Sequence, residues 1–226
     1  MPLRRRPAIG TILEMDTTNK IPLILCFGDS LTAGYQAPSR DNPSGRETPY
    51  GRFLEELLGG RARITVSGIC GEVTGEMVLR FRSDVLQRRP DYVVILGGTN
   101  DLGWNASPHE IIRNLVKMYE LARAAGIVPV PVTVPSLRVP DGAGHDEAAS
   151  WLGDHLARRQ ALNDLIQEYA RSKQLRSVDL FSATSAPESS QLCSEYSNDG
   201  LHLTTEGYRR FAMLLHEEIF SALPIV

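Results

Sequence analysis

The sequence predicts an α/β fold with a parallel sheet covered by helices on both faces. Short apolar segments alternate with longer amphipathic segments along the chain, which is the order typical of such a fold. The short segments, such as "YVVIL" at 92–96, are rich in β-branched residues and lack polar alternation, as strands covered on both faces do. Small and polar residues directly follow several of these segments, so ligands are expected at that edge of the sheet.

Five short segments are predicted to be strands because of their apolar character. They are residues 22–28, 62–67, 91–97, 127–134 and 175–180. The fourth reads "IVPVPVTV", and its prolines are unusual for a central strand because proline has no backbone N–H to donate. We retain it as a strand since the residues between the prolines are β-branched.

Five amphipathic segments between and after the strands are predicted to be helices. They are residues 50–58, 74–88, 108–125, 150–173 and 204–222. The third has clear limits, because Ser107 can cap it, Pro108 suits the first helical position and Gly126 follows its end. No linker, repeat or low-complexity tract interrupts the pattern. We therefore predict a loosely ordered tail at 1–20 and a single domain at 21–226.

The composition is that of an ordinary globular protein. The chain has 226 residues, 42% of them hydrophobic and 23% charged, which suits one domain with a sizeable core. Its net charge of −3 gives no reason to expect a nucleic acid or an anionic membrane as a partner. The three cysteines, Cys26, Cys70 and Cys193, form no C-x-x-C pair, so neither a disulfide framework nor a metal site is predicted.

The N-terminal residues were compared with the signals that direct a protein to secretion or to a membrane. A basic cluster at 4–6 is followed by "PAIGTILEMD", which is too often interrupted to supply the apolar stretch of about 7–15 residues of a secretion signal. No run approaches the ~18 apolar residues that a membrane span needs. We therefore predict a cytoplasmic protein without integral membrane association, and the sequence predicts no particular oligomeric state.

The first predicted strand ends abruptly in the segment "LILCFGDSLT" at 23–32. One interpretation of Gly28, Asp29 and Ser30 is a turn that caps a following helix. The other is that the strand delivers a serine nucleophile to the ligand-binding edge of the sheet. Two more strand ends also carry small and polar residues, at 67–68 and 97–101, and three such ends at one edge favour the second interpretation.

Acyl transfer by a serine needs a general base within hydrogen-bond reach and an acid that orients the base. Among the five histidines, His202 stands out because Asp199 precedes it by three residues in "SNDGLHLTTEG". Gly200 allows a tight bend, so a short loop can hold the carboxylate beside the imidazole. The alternative is that this Asp-Gly pair serves only the entry into the last helix.

A tetrahedral oxyanion also needs hydrogen-bond donors aimed at it. The candidates are the backbone N–H of Ser30, a glycine N–H in "SGICGEVTG" at 67–75, and the side-chain amide of Asn100. Glycine lets the backbone approach a substrate closely, and asparagine is a neutral donor. The alternative for each glycine is a simple turn.

Four segments together resemble the GDSL, or SGNH, hydrolase family. They read "GDSL" at 28–31, "SGICGEVT" at 67–74, "GGTND" at 97–101 and "DGLH" at 199–202, in the order of the four family blocks. Each is weak alone, but the set spans most of the chain. The resemblance implies a flavodoxin-like three-layer α/β/α sandwich with a five-stranded parallel sheet. A G-x-S-x-G elbow, as in α/β-hydrolases, is absent around Ser30.

The resemblance also implies roles for individual residues. Ser30 would be the nucleophile, His202 the general base and Asp199 the residue that orients His202. The oxyanion hole would use the N–H of Ser30, the side chain of Asn100 and one glycine N–H.

The segment at 67–74 indicates which glycine would supply the backbone donor of the oxyanion hole. Family members often read Gly-x-Ser-Gly followed by an acid and a hydroxyl residue. This alignment places the donor at Gly71, with Cys70 where serine is common, and leaves Gly68 as a residue needed for backbone conformation. We favour Gly71 over Gly68 as the donor.

The function that the resemblance implies is hydrolysis of carboxylic esters through an acyl-enzyme intermediate and without cofactor or metal. We expect short acyl groups, because the polar loop at 36–48 and the Gly-rich segment at 140–144 offer no long continuous apolar surface. The alternatives are a carbohydrate acetylesterase, a lysophospholipase or acyl-thioesterase, and a binding module that has kept only the fold. We expect the loops at 36–48 and 135–153, and Trp104, to shape the pocket for a small-molecule ester. The alternative is that 135–153 forms a lid that lines a long acyl site with Leu137, Val139, Trp151 and Leu152.

Overall fold

The computed structural model describes residues 21–39, 43–139 and 145–223, so the predicted tail at 1–20 lies outside the described residues. A four-stranded parallel sheet forms the centre, in the strand order β4-β1-β5-β6. A separate two-stranded antiparallel ribbon pairs β2 with β3. The strands are β1 (Leu23–Gly28), β2 (Tyr35–Gln36), β3 (Arg46–Glu47), β4 (Arg63–Gly68), β5 (Tyr92–Leu96) and β6 (Val128–Pro131).

The helices follow the amphipathic segments of the sequence. They are α1 (Ser30–Ala33), α2 (Tyr50–Leu58), α3 (Thr74–Phe81), α4 (Thr99–Gly103), α5 (Pro108–Ala124), α6 (His145–Ser172), α7 (Leu180–Thr184) and α8 (Thr205–Leu215). Helix α3 continues as a π-helical turn at Arg82–Leu86, and α8 does so at His216–Phe220. Within the described ranges, no helix combines the length and the apolar character needed to cross a membrane.

Helix α2 shows how the sequence sets these elements. Tyr50, Leu54 and Leu58 recur at helical spacing and are all buried, so one face of the helix packs on the sheet. Gly59 ends the helix in the left-handed conformation, with φ of 55°, and its N–H binds the carbonyl groups of the last turn. The prediction of a helix at 50–58 is confirmed.

Helices cover both faces of the sheet. In β1, Phe27 contacts Phe81 of α3 edge to face, with ring centroids 5.3 Å apart. The neighbouring Cys26 points to the other face and packs against Gly51 of α2. Helix α8 packs with α2, whereas α5 packs with α3 and α6. The result is the three-layer α/β/α arrangement that the sequence predicts.

The strand count differs from the prediction of five. Residues 175–180 form a single parallel bridge, in which Val178 lies beside Val132, rather than a strand. Two backbone hydrogen bonds of 3.0 Å hold this bridge, from the N–H of Val178 to Pro131 and from the N–H of Thr133 to Val178. The bridge cannot lengthen because Asp179 already caps α7.

The prolines of β6 are tolerated because of the direction in which their nitrogens point. The carbonyl of Pro131 accepts from Val178, so the backbone polar groups of Pro131 point away from β5. Pro129 lies two residues earlier on the strand, so its backbone groups point in the same direction. The two missing N–H groups therefore remove no bond from the pairing with β5. Among the described residues, the sheet continues beyond β6 only as the bridge at Val178.

Candidate active site

The motif segments meet because three neighbouring strands end at the same level. Gly28 at the end of β1 pairs in register with Gly68 of β4 and with Leu96 of β5. Neighbouring strands lie about 4.8 Å apart, so the loops that follow them share one edge of the sheet. Ser30 and Asn100 come directly after β1 and β5 at this edge.

Ser30 is the first residue of α1 and is almost fully buried, with 4% of its surface exposed. Asp29 caps this short helix, and its Oδ1 accepts from the N–H of Leu31 at 2.9 Å. A side chain at Gly28 would place Cβ 2.1 Å from the carbonyl oxygen of Leu96, so only glycine fits there. The segment is thus a capped turn and also the element that presents Ser30.

The N–H of Ser30 remains available at the start of α1. The N–H groups of Thr32 and Ala33 both bind the carbonyl of Asp29, whereas that of Ser30 has no hydrogen bond to the described part of the chain. The first N–H groups of a helix have no partner within the helix. This group can therefore donate to a ligand at the sheet edge.

Asp199 and His202 form a close pair. The Oδ2 of Asp199 lies 2.7 Å from Nδ1 of His202, while its Oδ1 accepts from the N–H groups of Leu201 at 2.9 Å and of His202 at 2.8 Å. Burial opposes ionisation of Asp199, but these hydrogen bonds outweigh it and lower its pKa to about 2. An ionised carboxylate only accepts hydrogen bonds, so Nδ1 of His202 carries a proton and Nε2 is left for chemistry.

The bend between these two residues requires Gly200. Its φ is +83°, and a Cβ would lie 1.9 Å from the carbonyl oxygen of Arg138. The N–H of Arg138 in turn donates to the carbonyl of Gly200 at 2.8 Å, which fixes the loop against the segment that follows β6.

Tyr35 connects this loop to the serine helix. Its ring meets the ring of His202 edge to face, with centroids 4.6 Å apart. The hydroxyl of Tyr208 donates to the carbonyl of Tyr35 at 2.7 Å. Because Tyr35 follows α1 after Gly34, which caps that helix, these contacts hold the imidazole on the side of the sheet edge where Ser30 lies.

The segment at 97–101 holds the segment at 67–74 in place through side-chain hydrogen bonds. The Nδ2 of Asn100 donates to the carbonyl of Glu72 at 2.8 Å. Both carboxylate oxygens of Asp101 accept from the N–H of Thr74, at 3.1 and 2.9 Å, and one also accepts from its hydroxyl. Since Nδ2 carries two hydrogens, Asn100 keeps one for a ligand.

The two glycines of the second block differ in their surroundings. Gly68 belongs to β4, and a side chain there would collide with the backbone nitrogen of Ala33 at 2.2 Å. Gly71 lies in an open turn with φ of +79°, and its N–H has no hydrogen bond to the described residues. Gly68 is therefore needed for close packing, whereas Gly71 has a free donor.

Sequence reasoning missed Arg80, which ties the second block to the sheet. Its guanidinium binds the carboxylate of Glu72 at 2.5–2.9 Å and the carboxylate of Asp84 at 2.9 Å. It also donates to the carbonyl of Gly28 at 2.9 Å and lies 4.1 Å above the ring of Phe27. No local signal marks this residue, because two of its partners lie on β1 and a third lies in the loop before α3.

A pocket of about 400 Å³ opens beside Asn100 and Asp199. The segment predicted at 135–153 contributes to its lining, whereas no described residue of 36–48 does, and the Gly-rich stretch at 140–144 lies outside the described residues. The lining residues are Thr99, Asn100, Gly103, Trp104, Leu137, Arg138, Trp151, His155, Arg159, Asp199, Gly200 and Leu201. Two of the four residues proposed for a lid, Val139 and Leu152, are not among them.

The described residues contain no group of three or more His, Cys, Asp or Glu side chains that could hold a metal ion. The chemical groups at the sheet edge are instead a serine, an Asp–His pair and several N–H donors. A parallel α/β sheet with these groups at its carboxyl edge is the arrangement of a hydrolase, and the groups are those that ester hydrolysis by a serine requires.

Comparison with known proteins gives the family. The chain belongs to the GDSL-like lipase/acylhydrolase family, whose model matches residues 26–210. The resemblance stated from the four sequence blocks is thereby confirmed.

Curated relatives and solved structures agree with this assignment. The chain is 32% identical over 128 residues to an uncharacterized lipoprotein of Bacillus subtilis, which covers 54% of this chain and 52% of that protein. It is 32% identical over 124 residues to an arylesterase of Vibrio mimicus, covering 54% and 57%. The chain thus spans about half the length of the curated relatives it matches.

Similar solved structures cover more of the chain. The crystal structure of a GDSL-like lipase from Bacteroides thetaiotaomicron has a TM-score of 0.70 and 25% identity, with 89% of each chain covered. The aryl esterase of M. smegmatis has the same TM-score of 0.70 at 20% identity, over 89% of this chain and 100% of that chain, which shows a shared fold.

Proposed function

We propose that this protein is a carboxylic ester hydrolase that uses Ser30 as its nucleophile and prefers short acyl groups. The observation that carries the proposal is the 2.7 Å contact between Asp199 and His202 at the sheet edge where Ser30 and Asn100 also lie. Family membership supports the reaction class, because the family is described by lipase and acylhydrolase activities.

The proposed reaction starts with attack of the Ser30 Oγ on the ester carbonyl carbon. The Nε2 of His202 takes the hydroxyl proton as the new C–O bond forms. The negative charge that develops on the carbonyl oxygen accepts hydrogen bonds from the N–H groups of Ser30 and Gly71 and from Nδ2 of Asn100. These are the donors that have a hydrogen free in the described structure.

Collapse of this tetrahedral intermediate expels the alcohol, and His202 gives its proton to the leaving oxygen. The acyl group is then bonded to Ser30. A water molecule activated by His202 attacks this acyl-enzyme in the same way, which releases the acid and restores the serine. Asp199 orients the imidazole and stabilises its cationic form, and the low pKa of about 2 keeps this carboxylate ionised throughout.

A second candidate concerns the leaving group. Trp104 and Trp151 line the pocket and are 81% and 53% exposed, so their rings are accessible for stacking. The similarity to a protein named arylesterase supports an aromatic alcohol as the leaving group. Comparison of phenyl acetate with ethyl acetate tests this preference, since a stacked ring should favour the former beyond its intrinsic reactivity.

The proposed nucleophile is tested with Ser30→Ala and 4-nitrophenyl butyrate. We expect kcat/KM to fall on the order of 10⁴-fold or more, because the covalent route is lost. Ser172→Ala, at an exposed serine of α6, is the matched control and should retain full activity. Circular dichroism of both variants should match that of the unaltered protein.

Covalent labelling gives an independent measurement. A fluorophosphonate should label one site in the unaltered protein, and peptide mass spectrometry should place the label on Ser30. Substantial turnover by Ser30→Ala with an intact fold, or a label at another serine, would contradict the proposal.

A further inference from the structure

The pocket beside the candidate active site carries basic side chains that the proposed ester hydrolysis does not use. Its wall is partly apolar, formed by Trp104, Trp151 and Leu137. Three nitrogen-bearing side chains lie among these residues, those of Arg138, His155 and Arg159. Each of the three has a buried ring or guanidinium nitrogen without a hydrogen-bond partner in the described structure.

Arg159 is the deepest of the three, with only 2% of its surface exposed. Its Nη1 donates to the carbonyl of Pro135 at 2.7 Å and to the hydroxyl of Thr99 at 3.4 Å, while its Nε has no partner. Burial lowers its pKa to about 10, so the side chain stays charged at neutral pH. No described carboxylate lies within ion-pair distance of it, which is unfavourable for a buried cation.

His155 and Arg138 extend the same surface. The imidazole of His155 is 6% exposed, packs against the ring of Trp151 with centroids 4.4 Å apart and leaves Nδ1 without a partner. Arg138 donates through Nη2 to the carbonyl of Ser197 at 2.8 Å, and its Nε is also unpaired. Both side chains are therefore held in place by their own contacts. The Nε of Arg138 is free to donate, and the Nδ1 of His155 is free to donate in the tautomer that places the proton there.

Nearby carboxylates do not offset this charge. Asp199 lines the pocket, but its oxygens already bind His202 and two backbone N–H groups. Asp29 interacts electrostatically with Arg159, yet burial raises its pKa to about 7, so it is a weak counter-ion near neutrality. On α6, Asp154 and Arg158 shift the pKa of His155 in opposite directions.

The position of Arg159 sets where a ligand charge would lie. Thr99, which accepts from its guanidinium, directly precedes Asn100 in the chain. Arg159 and Asn100 also line the same pocket of about 400 Å³, so a group bound to Arg159 would lie in the same pocket as an ester carbonyl held by Asn100. Guanidinium groups bind carboxylates through parallel hydrogen bonds, and the Nε of Arg159 is a donor without a partner in the described structure.

We propose that this pocket binds a carboxylate carried by the substrate, so that the enzyme prefers esters with a carboxylate close to the ester bond. Arg159 is the principal recognition residue, and His155 and Arg138 add donors around the same anion. This inference rests on the proposed ester hydrolysis and names its substrate class.

Matched pairs of esters test the preference on each side of the ester bond. Monomethyl succinate is compared with methyl butyrate for a carboxylate on the acid side. Acetoxyacetate is compared with ethyl acetate for a carboxylate on the alcohol side. We expect kcat/KM to be at least about tenfold higher for the charged ester in one of the two pairs, as for hydrogen bonds to charged groups. Equal or lower values for both charged esters would overturn the inference.

Arg159→Gln identifies the residue responsible. It should reduce kcat/KM for the preferred charged ester at least about tenfold and change that for its neutral partner by less than about threefold. Arg158→Gln is the matched control, because Arg158 is one position away on α6 and binds Asn105 and the carbonyl of Leu102 rather than lining the pocket. An equal loss on charged and neutral esters would assign Arg159 a structural role and overturn the proposal.

Binding without turnover separates this inference from the proposed reaction. In the Ser30→Ala background, monomethyl succinate or acetoxyacetate should raise Tm, whereas the matched neutral ester should not. The rise should disappear when Arg159→Lys is added, since lysine keeps the charge but lacks the planar pair of donors. A missing rise would refute the carboxylate site. A clear rise in a protein that hydrolyses no ester would instead refute only the proposed reaction.

Discussion

Single residues at the sheet edge make several contacts each, and Asn100 is the clearest case. One hydrogen of its Nδ2 group binds the carbonyl of Glu72 at 2.8 Å, which leaves the other for a ligand. The same amide thus fixes the loop of Gly71 and can stabilise an oxyanion. A residue with both roles should affect the rate more than the binding of the ester.

We therefore expect Asn100→Ala to lower kcat by about 10²–10³-fold with little change in KM, as for other side-chain donors of oxyanion holes. Steady-state kinetics with 4-nitrophenyl butyrate measure both constants. Asn105→Ala, at an exposed asparagine that follows α4, is the control and should retain normal kcat. A rise in KM at constant kcat would instead mean that Asn100 binds the ground state.

Asp29 is buried completely and caps α1, so its ionisation bears on stability. Burial raises its pKa from 3.8 to about 7, against the lowering effect of the hydrogen bond from Leu31. Between these two values the folded state holds a proton that the unfolded state has released. Linkage then requires the contribution of Asp29 to the free energy of unfolding to decrease as pH rises from about 4 to about 7.

Asp29→Asn should remove this dependence, because asparagine caps a helix equally well but does not ionise. Relative to the unaltered protein, the variant should gain stability between pH 4.5 and pH 8. Urea denaturation at several pH values measures the difference, with Asp179→Asn as a second helix-cap variant for comparison. A difference that is constant with pH would show that Asp29 has the same protonation in both states.

At the scale of elements, the loop before α3 depends on contacts from the helices α3 and α4. Arg80 on α3 holds the carboxylate of Glu72 and the carbonyl of Gly28. Asp101 holds the first turn of α3 through Thr74. The residues that follow Gly71 are therefore held by two contacts, although neither Arg80 nor Asp101 lines the pocket beside Asn100.

Arg80→Lys should lower kcat about 10-fold while leaving KM nearly unchanged, because lysine keeps the charge but cannot bind all of these acceptors at once. Arg82→Lys, at an exposed arginine in the next turn, is the matched control. The effect should shrink in the Asn100→Ala background, since both residues hold Glu72 and act on one oxyanion site. Additive effects of the two substitutions would assign Arg80 to stability alone.

At the scale of the whole molecule, we expect the size and the wall of the pocket to limit the length of the acyl group. It measures about 400 Å³ and its wall includes Arg138, His155 and Arg159. A long alkyl chain gains only about 0.8 kcal/mol for each methylene that is buried, and here it would also cover charged groups that lose water.

We therefore expect 4-nitrophenyl acetate to hexanoate to be hydrolysed faster than the dodecanoate. The measurement is kcat/KM across the series, with every ester below its micellar threshold. A steady rise beyond eight carbons would contradict this prediction and favour a lipase or acyl-thioesterase pocket.

The positions of strands, helices and motif segments follow from the sequence because their signals are local. Apolar runs, helical spacing and caps such as Ser107 act within a few residues, so the segments at 23–28 and 108–124 are found close to their predicted limits. The Asp199–His202 pair is also local, since His202 follows Asp199 by three positions and Gly200 allows the bend that brings the two side chains together. Parallel strands then place the motif segments at one edge.

Only the tertiary structure decides the contacts between segments that are far apart in the chain. The periodicity of α6 places Arg159 on a buried face, but only packing brings that face against Thr99 and Pro135 to line the pocket. The segment at 175–180 is reduced to one bridge because Asp179 starts a helix there. Periodic patterns in the sequence indicate which residues are buried. The partners of a buried charge depend on how the helices pack on the sheet.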